Sequence, residues 1–135
     1  MSIETLLYES AVILIENRYP SGWGGAASVR TNSGKILTSI APDTKNDALS
    51  LCMEVGSYLE AHKLNEIVTH SLCIYRENEK SEFIILSPCG ICQERIVHWG
   101  GDVKVAVTNI KNKLIFKPIR ELQPYHWSMI NGKKL

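Results

Sequence analysis

The stretch Ser87 to Arg95, S-P-C-G-I-C-Q-E-R, constrains this chain more than any other. Pro88 ends whatever extended segment precedes it, and a helix starting near Gly90 would set Cys89 and Cys92 one above the other on its first turn. Two thiols so placed suit a metal ion and need at least one more ligand. At this chain's cysteine and proline content a chance P-C-x-x-C is expected roughly 0.004 times, so accident is a poor explanation. An oxidised Cys89–Cys92 pair is the redox alternative.

The missing ligand is sought upstream in L-S-L-C-M-E, where Glu54 follows Cys52 by two positions. A cysteine with a nearby acid, then P-C-x-x-C, is the cysteine version of the H-x-E…P-C-x-x-C pattern of zinc deaminases, in which the glutamate moves protons and does not bind metal. The expected zinc ligands are therefore Cys52, Cys89 and Cys92, with Glu54 as acid and base. Three protein ligands on Zn²⁺ leave a fourth position, where the pKa of a water falls from about 15.7 to about 7. Hydroxide can then attack a ring carbon while one carboxylate protonates the ring nitrogen and the departing ammonia. A closed structural zinc site would need a fourth ligand, for which His98 is the only nearby candidate. A thiol oxidoreductase would leave Cys52 and Glu54 unexplained, whereas a non-catalytic zinc module that binds a nucleobase-like ligand stays open as the alternative.

Composition narrows the partners. Of 135 residues 44% are hydrophobic and 21% charged, as expected of one soluble domain spanning residues 1–135. Fifteen basic against fourteen acidic residues give a net charge of +1, so no broad field draws the protein to nucleic acid or an anionic membrane. A small, nearly neutral substrate fits better. The first fifteen residues lack the pattern of a signal peptide, and no apolar run approaches a membrane span. A cytoplasmic protein is expected, with its four cysteines as ligands, nucleophiles or core thiols and not as disulfide partners. Cys73, inside an expected strand, reads as a buried small hydrophobe.

The elements follow from periodicity. Ile3, Leu6, Leu7, Ala11, Leu14 and Ile15 recur at helical spacing up to about Arg18, predicting a helix packed on one face of a sheet. The glycine-rich segment 21–25 reads as irregular, bringing backbone close to another strand or to a ligand. Residues 26–31 and 35–40 read as a hairpin around Asn32-Ser33-Gly34. A helix is expected to begin near Asp47 or Ser50 and end near His62, delivering Cys52 and Glu54 on its first turns. Strands follow at 66–75 and 83–86, a helix at 90–99, strands at 103–109 and 114–116, and a helical turn at 118–122. The tail beyond Tyr125 is expected to fray at its end, with its aromatics docked. His62, His70 and His126 read as surface or satisfied core groups. Three thiolates on Zn²⁺ leave a charge of −1, and Arg95, three residues after Cys92, is either the cation that donates to a ligand sulfur or an ordinary surface arginine.

These motifs resemble the cytidine deaminase superfamily, within it the small tetrameric enzymes, including the blasticidin S deaminases. The likeness runs from Gly25-Ala26-Ala27 through the hairpin, C-M-E at 52–54 and S-P-C-G-I-C at 87–92, to the E-L-x-P of Glu121 to Pro124. The resemblance implies a three-layer α/β/α fold with a five-stranded mixed sheet flanked by helices. It also implies a homotetramer whose active sites are completed by neighbouring subunits, and a small nucleoside or nucleobase-like substrate that is deaminated. Three departures stand out. Where relatives carry N-x-E to hold a ribose, this chain has Ala41-Pro42-Asp43, so only Asp43 can keep part of that contact. The aromatic before G-A-A is replaced by Gly22-Trp23-Gly24, which leaves Trp23 to stack on a ligand or to pack. Arginines after C-A-E and after the second cysteine are Val55 and Gln93. The resemblance further implies substrate contacts at Ala27, at Ser87 and Cys89 through main chain, and at Tyr125 or Trp127 as the aromatic that closes a pocket.

Overall fold

The computed structural model describes residues 1–135. Ser2 opens the first helix by accepting the Thr5 N–H at 3.1 Å, and α1 (Ile3–Arg18) follows. Its buried stripe is Leu7, Ala11 and Ile15, spaced four apart on one face. Ile3 and Leu6 stay exposed, so the contact with the sheet is narrower than the apolar spacing predicts.

Strand β1 (Gly24–Thr31) begins inside the glycine-rich segment expected to be irregular. The reason is close packing: a Cβ at Gly24 would lie 2.9 Å from Ile15 Cγ2 and 2.9 Å from Tyr19 Cβ. β1 forms the expected hairpin with β2 (Ile36–Ile40), from Ala26 opposite Ile40 to Arg30 opposite Ile36. Gly34, at φ +90°, supplies the left-handed turn residue. On its other side β1 pairs antiparallel with β3 (Val68–Arg76), placing Ala27 opposite Cys73.

The far edge of β3 is shared. β5 (Lys104–Ala106) runs parallel to it at His70 and Ser71, while β4 (Ile84–Leu86) pairs antiparallel with Cys73 to Tyr75. β6 (Phe116–Pro118) closes the sheet antiparallel to β5. The mixed sheet thus has six strands in the order β2-β1-β3-β5-β6 with β4 beside β3, one more than the five expected. The sixth, β4, is the strand that the apolar run at 83–86 predicts, and only the resemblance implies five; β5 leaves the second half of β3 unpaired and Ile84–Leu86 fills that edge.

Two apolar clusters make the layers. Leu7, Ala11 and Ile15 pack with Ala26, Leu72 and Ile74 beneath α1. The second cluster joins Val29 and Leu37 of the hairpin to Val55, Tyr58 and Ala61 of α2 (Val55–Leu64) and to Cys92 and Ile96 of α3 (Gly90–Val97). The α/β/α arrangement is the expected one. No helix is long and apolar enough to cross a membrane.

Two boundaries differ from expectation near the site. Asn46 does cap a turn, accepting the Ala48 N–H at 3.0 Å, but the turn is a 3-10 segment, Asp47–Leu49, and α2 starts only at Val55. Cys52 therefore lies in the approach to the helix and Glu54 at its N-cap, not on its first turns. The end of the C-terminal tail, expected to fray, is packed on the body of the fold: the Leu135 backbone carbonyl accepts from Arg120 Nη2 at 3.0 Å and lies against Gly101. The group docked within it is His126, not the aromatics. Its imidazole is 6% exposed and bonded to Glu94, whereas Tyr125 is 95% and Trp127 74% exposed.

Candidate metal centre and active site

Two segments far apart in the chain meet beside β3. The loop before α2 brings Cys52, the N-cap of α3 brings Cys89, and the first turn of α3 brings Cys92. Their sulfurs all lie within 4.8 Å of one another, and Cys52 Sγ is 3.3 Å from Cys89 Sγ. Three sulfurs on one tetrahedral zinc at 2.3 Å stand about 3.8 Å apart, so this cluster matches the size of such a site. Thiolates are also the donor type that zinc prefers among soft ligands. His98 is outside the cluster; its ring lies against those of His62 and Trp99. The closed four-ligand reading therefore loses its fourth ligand.

Glu54 closes the arrangement. It is 3% exposed, with Oε1 accepting from Cys92 Sγ at 2.9 Å and Oε2 accepting from the thiol of Cys73. The environment separates the thiols. Burial raises the Cys92 thiol well above the ordinary value, and the hydrogen bond to Glu54 adds to it. Burial works to raise Cys89 too, but the backbone N–H groups of Cys92 and Ile91 and the neighbouring thiols outweigh it, so Cys89 lies below. That is the expected effect of a helix N-terminus on a thiol. Cys52 is raised, chiefly by burial. Cys73 is raised well above the ordinary value by burial and by the nearby Glu54 charge, so it remains a thiol and a donor.

Surrounding groups hold these elements in place. Arg95 Nη1 donates to Cys92 Sγ at 3.3 Å; of the two readings open for this arginine, the structure selects the sulfur contact. Gln93, in the position expected to carry an arginine, donates to the Pro88 carbonyl at 2.8 Å and accepts from Gln123. Ser87 and Thr108 exchange bonds, each backbone N–H donating at 2.9 Å to the other's hydroxyl oxygen. Cys73, Thr108 and Gln123 escaped sequence reasoning. Only the fold carries them to the motif residues, so no spacing in the chain could have found them.

Two cavities adjoin. One of about 170 Å³ is lined by Cys52, Met53, Glu54, Cys73, Leu86, Ser87 and Cys89. The other, about 470 Å³, is lined by Tyr19, Ser21, Trp23, Pro42, Asp43, Thr44, Asp47 and Ser50. Met53 Cε and the Trp23 indole both crowd Gly25, at 2.9 and 3.0 Å from where its Cβ would be, so Trp23 stands at the wall between them. Trp23 is packed edge-on to Tyr19 and stacked on Tyr75, yet stays 46% exposed. The Tyr19 hydroxyl donates to the Ala41 carbonyl and the Ala41 N–H donates to the Gly25 carbonyl, which fixes the segment that presents Asp43. Of the other residues singled out in the sequence, Ala27 is fully buried opposite Cys73. Trp127 lines neither cavity; its indole N–H donates to Glu94 at 3.3 Å.

A mixed sheet flanked by helices, with three cysteine sulfurs from a loop and a helix start clustered beside a buried carboxylate, is the arrangement expected of an α/β protein of the zinc-deaminase class. No protein-family model matches the chain. A solved structure of a cytidine deaminase from Bacillus anthracis is 55% identical, with a TM-score of 0.94 and coverage of 97% of this chain and 94% of that one. A blasticidin-S deaminase from Bacillus cereus is 25% identical over 128 residues, 92% of this chain and 84% of the relative. The cytidine deaminase from Mycobacterium leprae shares the fold at 17% identity, with a TM-score of 0.69 over 92% of this chain and 99% of that one. The chain belongs to the cytidine deaminase superfamily.

Proposed function

We propose that residues 1–135 form a single domain that hydrolytically deaminates a cytidine-like nucleoside or related amino-heterocycle, releasing ammonia. The observation that carries this is the buried Glu54 carboxylate held against Cys92 of a three-cysteine cluster, beside a cavity that no fourth protein ligand closes. Cys52, Cys89 and Cys92 would hold Zn²⁺. When bound, zinc supplies the Lewis acidity that makes water a nucleophile at neutral pH. Glu54 would take the first proton of water and pass it to the ring nitrogen, then take the second from the hydroxyl newly bonded to the ring carbon and deliver it to the departing amine, leaving a carbonyl. Net, one C–N bond is exchanged for a C–O bond and ammonia leaves.

The smaller cavity would take the heterocycle, with Ser87 and the main chain of Cys89 at its rim and Ala27 as the small residue behind Cys73. Trp23 would flank the ring, and Asp43 would reach what is attached to it. The larger cavity carries two carboxylates, Asp43 and Asp47, and no basic side chain, which suits a substituent rich in hydrogen-bond donors. Leu49, Leu51, Leu59 and Ile91 are each more than half exposed on the segments that flank the metal cluster. Such apolar exposure supports a homotetramer in which neighbouring copies cover the site, with Trp127 contributed to an adjacent subunit. A reducing, cytoplasmic setting suits the free cysteines.

The test is a panel of cytosine-, adenine- and guanine-type compounds, as free bases and nucleosides, incubated with zinc-loaded protein under ammonia detection. Turnover of a cytosine-type compound is expected. Binding without ammonia release would instead support the non-catalytic module.

A further inference from the structure

Cys73 belongs to no motif and is too far from the cysteine cluster to count among its members. Even so, it lines the small cavity and its thiol is bonded to Glu54. Its backbone is fixed from both sides, opposite Ala27 of β1 and Leu86 of β4. A side chain on the middle of a strand paired on both edges is a rigid post, which loops at the cavity mouth cannot provide.

The carboxylate of Glu54 has two side-chain partners, the thiols of Cys92 and Cys73. A cysteine that binds metal gives up its proton, so Cys92 donates nothing in the loaded protein. Cys73 is then the one side-chain donor left to Glu54. A carboxylate with no donor could rotate and offer either oxygen to the substrate; one held at a single oxygen cannot. We propose that Cys73 is a positioning residue for deamination: its thiol holds Oε2 of Glu54, leaving Oε1 as the oxygen that moves the proton. This rests on the deaminase reading for its consequence but not for the contact itself.

The contact can be read without turnover. In zinc-loaded protein the three ligand cysteines are thiolates, so the only S–H stretching band in the infrared belongs to Cys73. It is expected at lower frequency than a free thiol and should return to the free-thiol position in Glu54→Ala. In the kinetics, Cys73→Ala should lower kcat by about tenfold or more, the usual scale for a slightly misplaced catalytic group, while KM stays within about twofold and zinc content is unchanged. Cys73→Ser, which keeps a donor, should recover most of the rate. A wild-type band at the free-thiol position would overturn the proposal even if the alanine variant failed to fold. Full kcat in Cys73→Ala, or Cys73→Ser as impaired as alanine, would also overturn it. A shifted band in a protein that deaminates nothing would sink the deaminase reading and leave the contact standing.

Discussion

Arg95 and Cys92 are joined across one turn of α3, the guanidinium donating to the sulfur at 3.3 Å. Two ordinary compensators of thiolate charge are absent here, since Val55 and Gln93 occupy their places. If the three cysteines hold Zn²⁺ as proposed, the formal charge of −1 falls to this guanidinium and to the backbone N–H groups at the start of α3. Replacing Arg95 by Met keeps the aliphatic stem on an exposed position of the helix and removes only the donor. Outer contacts of this kind are worth about 10- to 100-fold in metal affinity, and a drop of at least about tenfold is expected in competition with a chromophoric chelator. Wild-type affinity in the variant would show that Arg95 has no such role.

Glu54 is the second test. Glu54→Gln keeps the shape of the buried side chain and a hydrogen-bond acceptor, but an amide cannot carry the proton between water and the ring. Turnover should fall by at least about 10²-fold, with zinc still bound in equal amount because Glu54 is not one of the ligands. Metal analysis and ammonia release on the same sample check both halves. Near-normal turnover would remove Glu54 from the chemistry.

How far the sequence could be read depended on where the determining contacts lie. The cysteine cluster and the carboxylate beside it were legible because a metal site demands particular residue types at short, fixed spacings, and C-x-E and P-C-x-x-C carry them whole. The hairpin was legible because Gly34 states its turn locally. Asn46 and Asp47 signalled a helix start correctly in kind but not in length, and the cap served a 3-10 turn instead. The chain then bends to bring Cys52 to the cysteine cluster before α2 begins. Gly24 reads as a breaker in sequence and is a strand residue in the fold, since Ile15 and Tyr19 leave no room for a side chain. Cys73 looked like filler because its partner, 19 residues away, is reached only through the packing of α2 on the sheet.

Stability at low pH is expected to report the clamp on the β1–β2 turn. Glu66 is held at about 2, by hydrogen bonds from Ser33 first, then Thr31 and Lys35, with the Lys35 ammonium 2.9 Å away. A carboxylate depressed in the folded state stabilises it above the ordinary value of 4.5, and that stabilisation is lost as pH falls through the folded value. Glu66→Gln lacks the titration. The gap in denaturation midpoint between wild type and variant should therefore be constant above about pH 5 and close as pH falls toward about 2. Comparing the two proteins at each pH cancels any metal loss they share. A gap that ignores pH would show that the Glu66 charge does no clamping.

Asp43 gives the most direct handle on what the substrate carries. Its carboxylate lines the larger cavity, in a segment pinned through Ala41, and that cavity shares no lining residue with the one that contains Glu54. Binding a substituent there should leave the reacting ring untouched, so the residue should contribute equally to ground state and transition state. For Asp43→Ala the expected result with a nucleoside is a KM raised about tenfold or more, the scale of one hydrogen bond to a charged group, and a kcat within about twofold. With the matching free base, which has nothing to place in that cavity, neither constant should move. A KM that rises equally for base and nucleoside would mean that Asp43 acts by holding the loop, and a kcat that falls alone would place it at the reacting ring instead of the substituent.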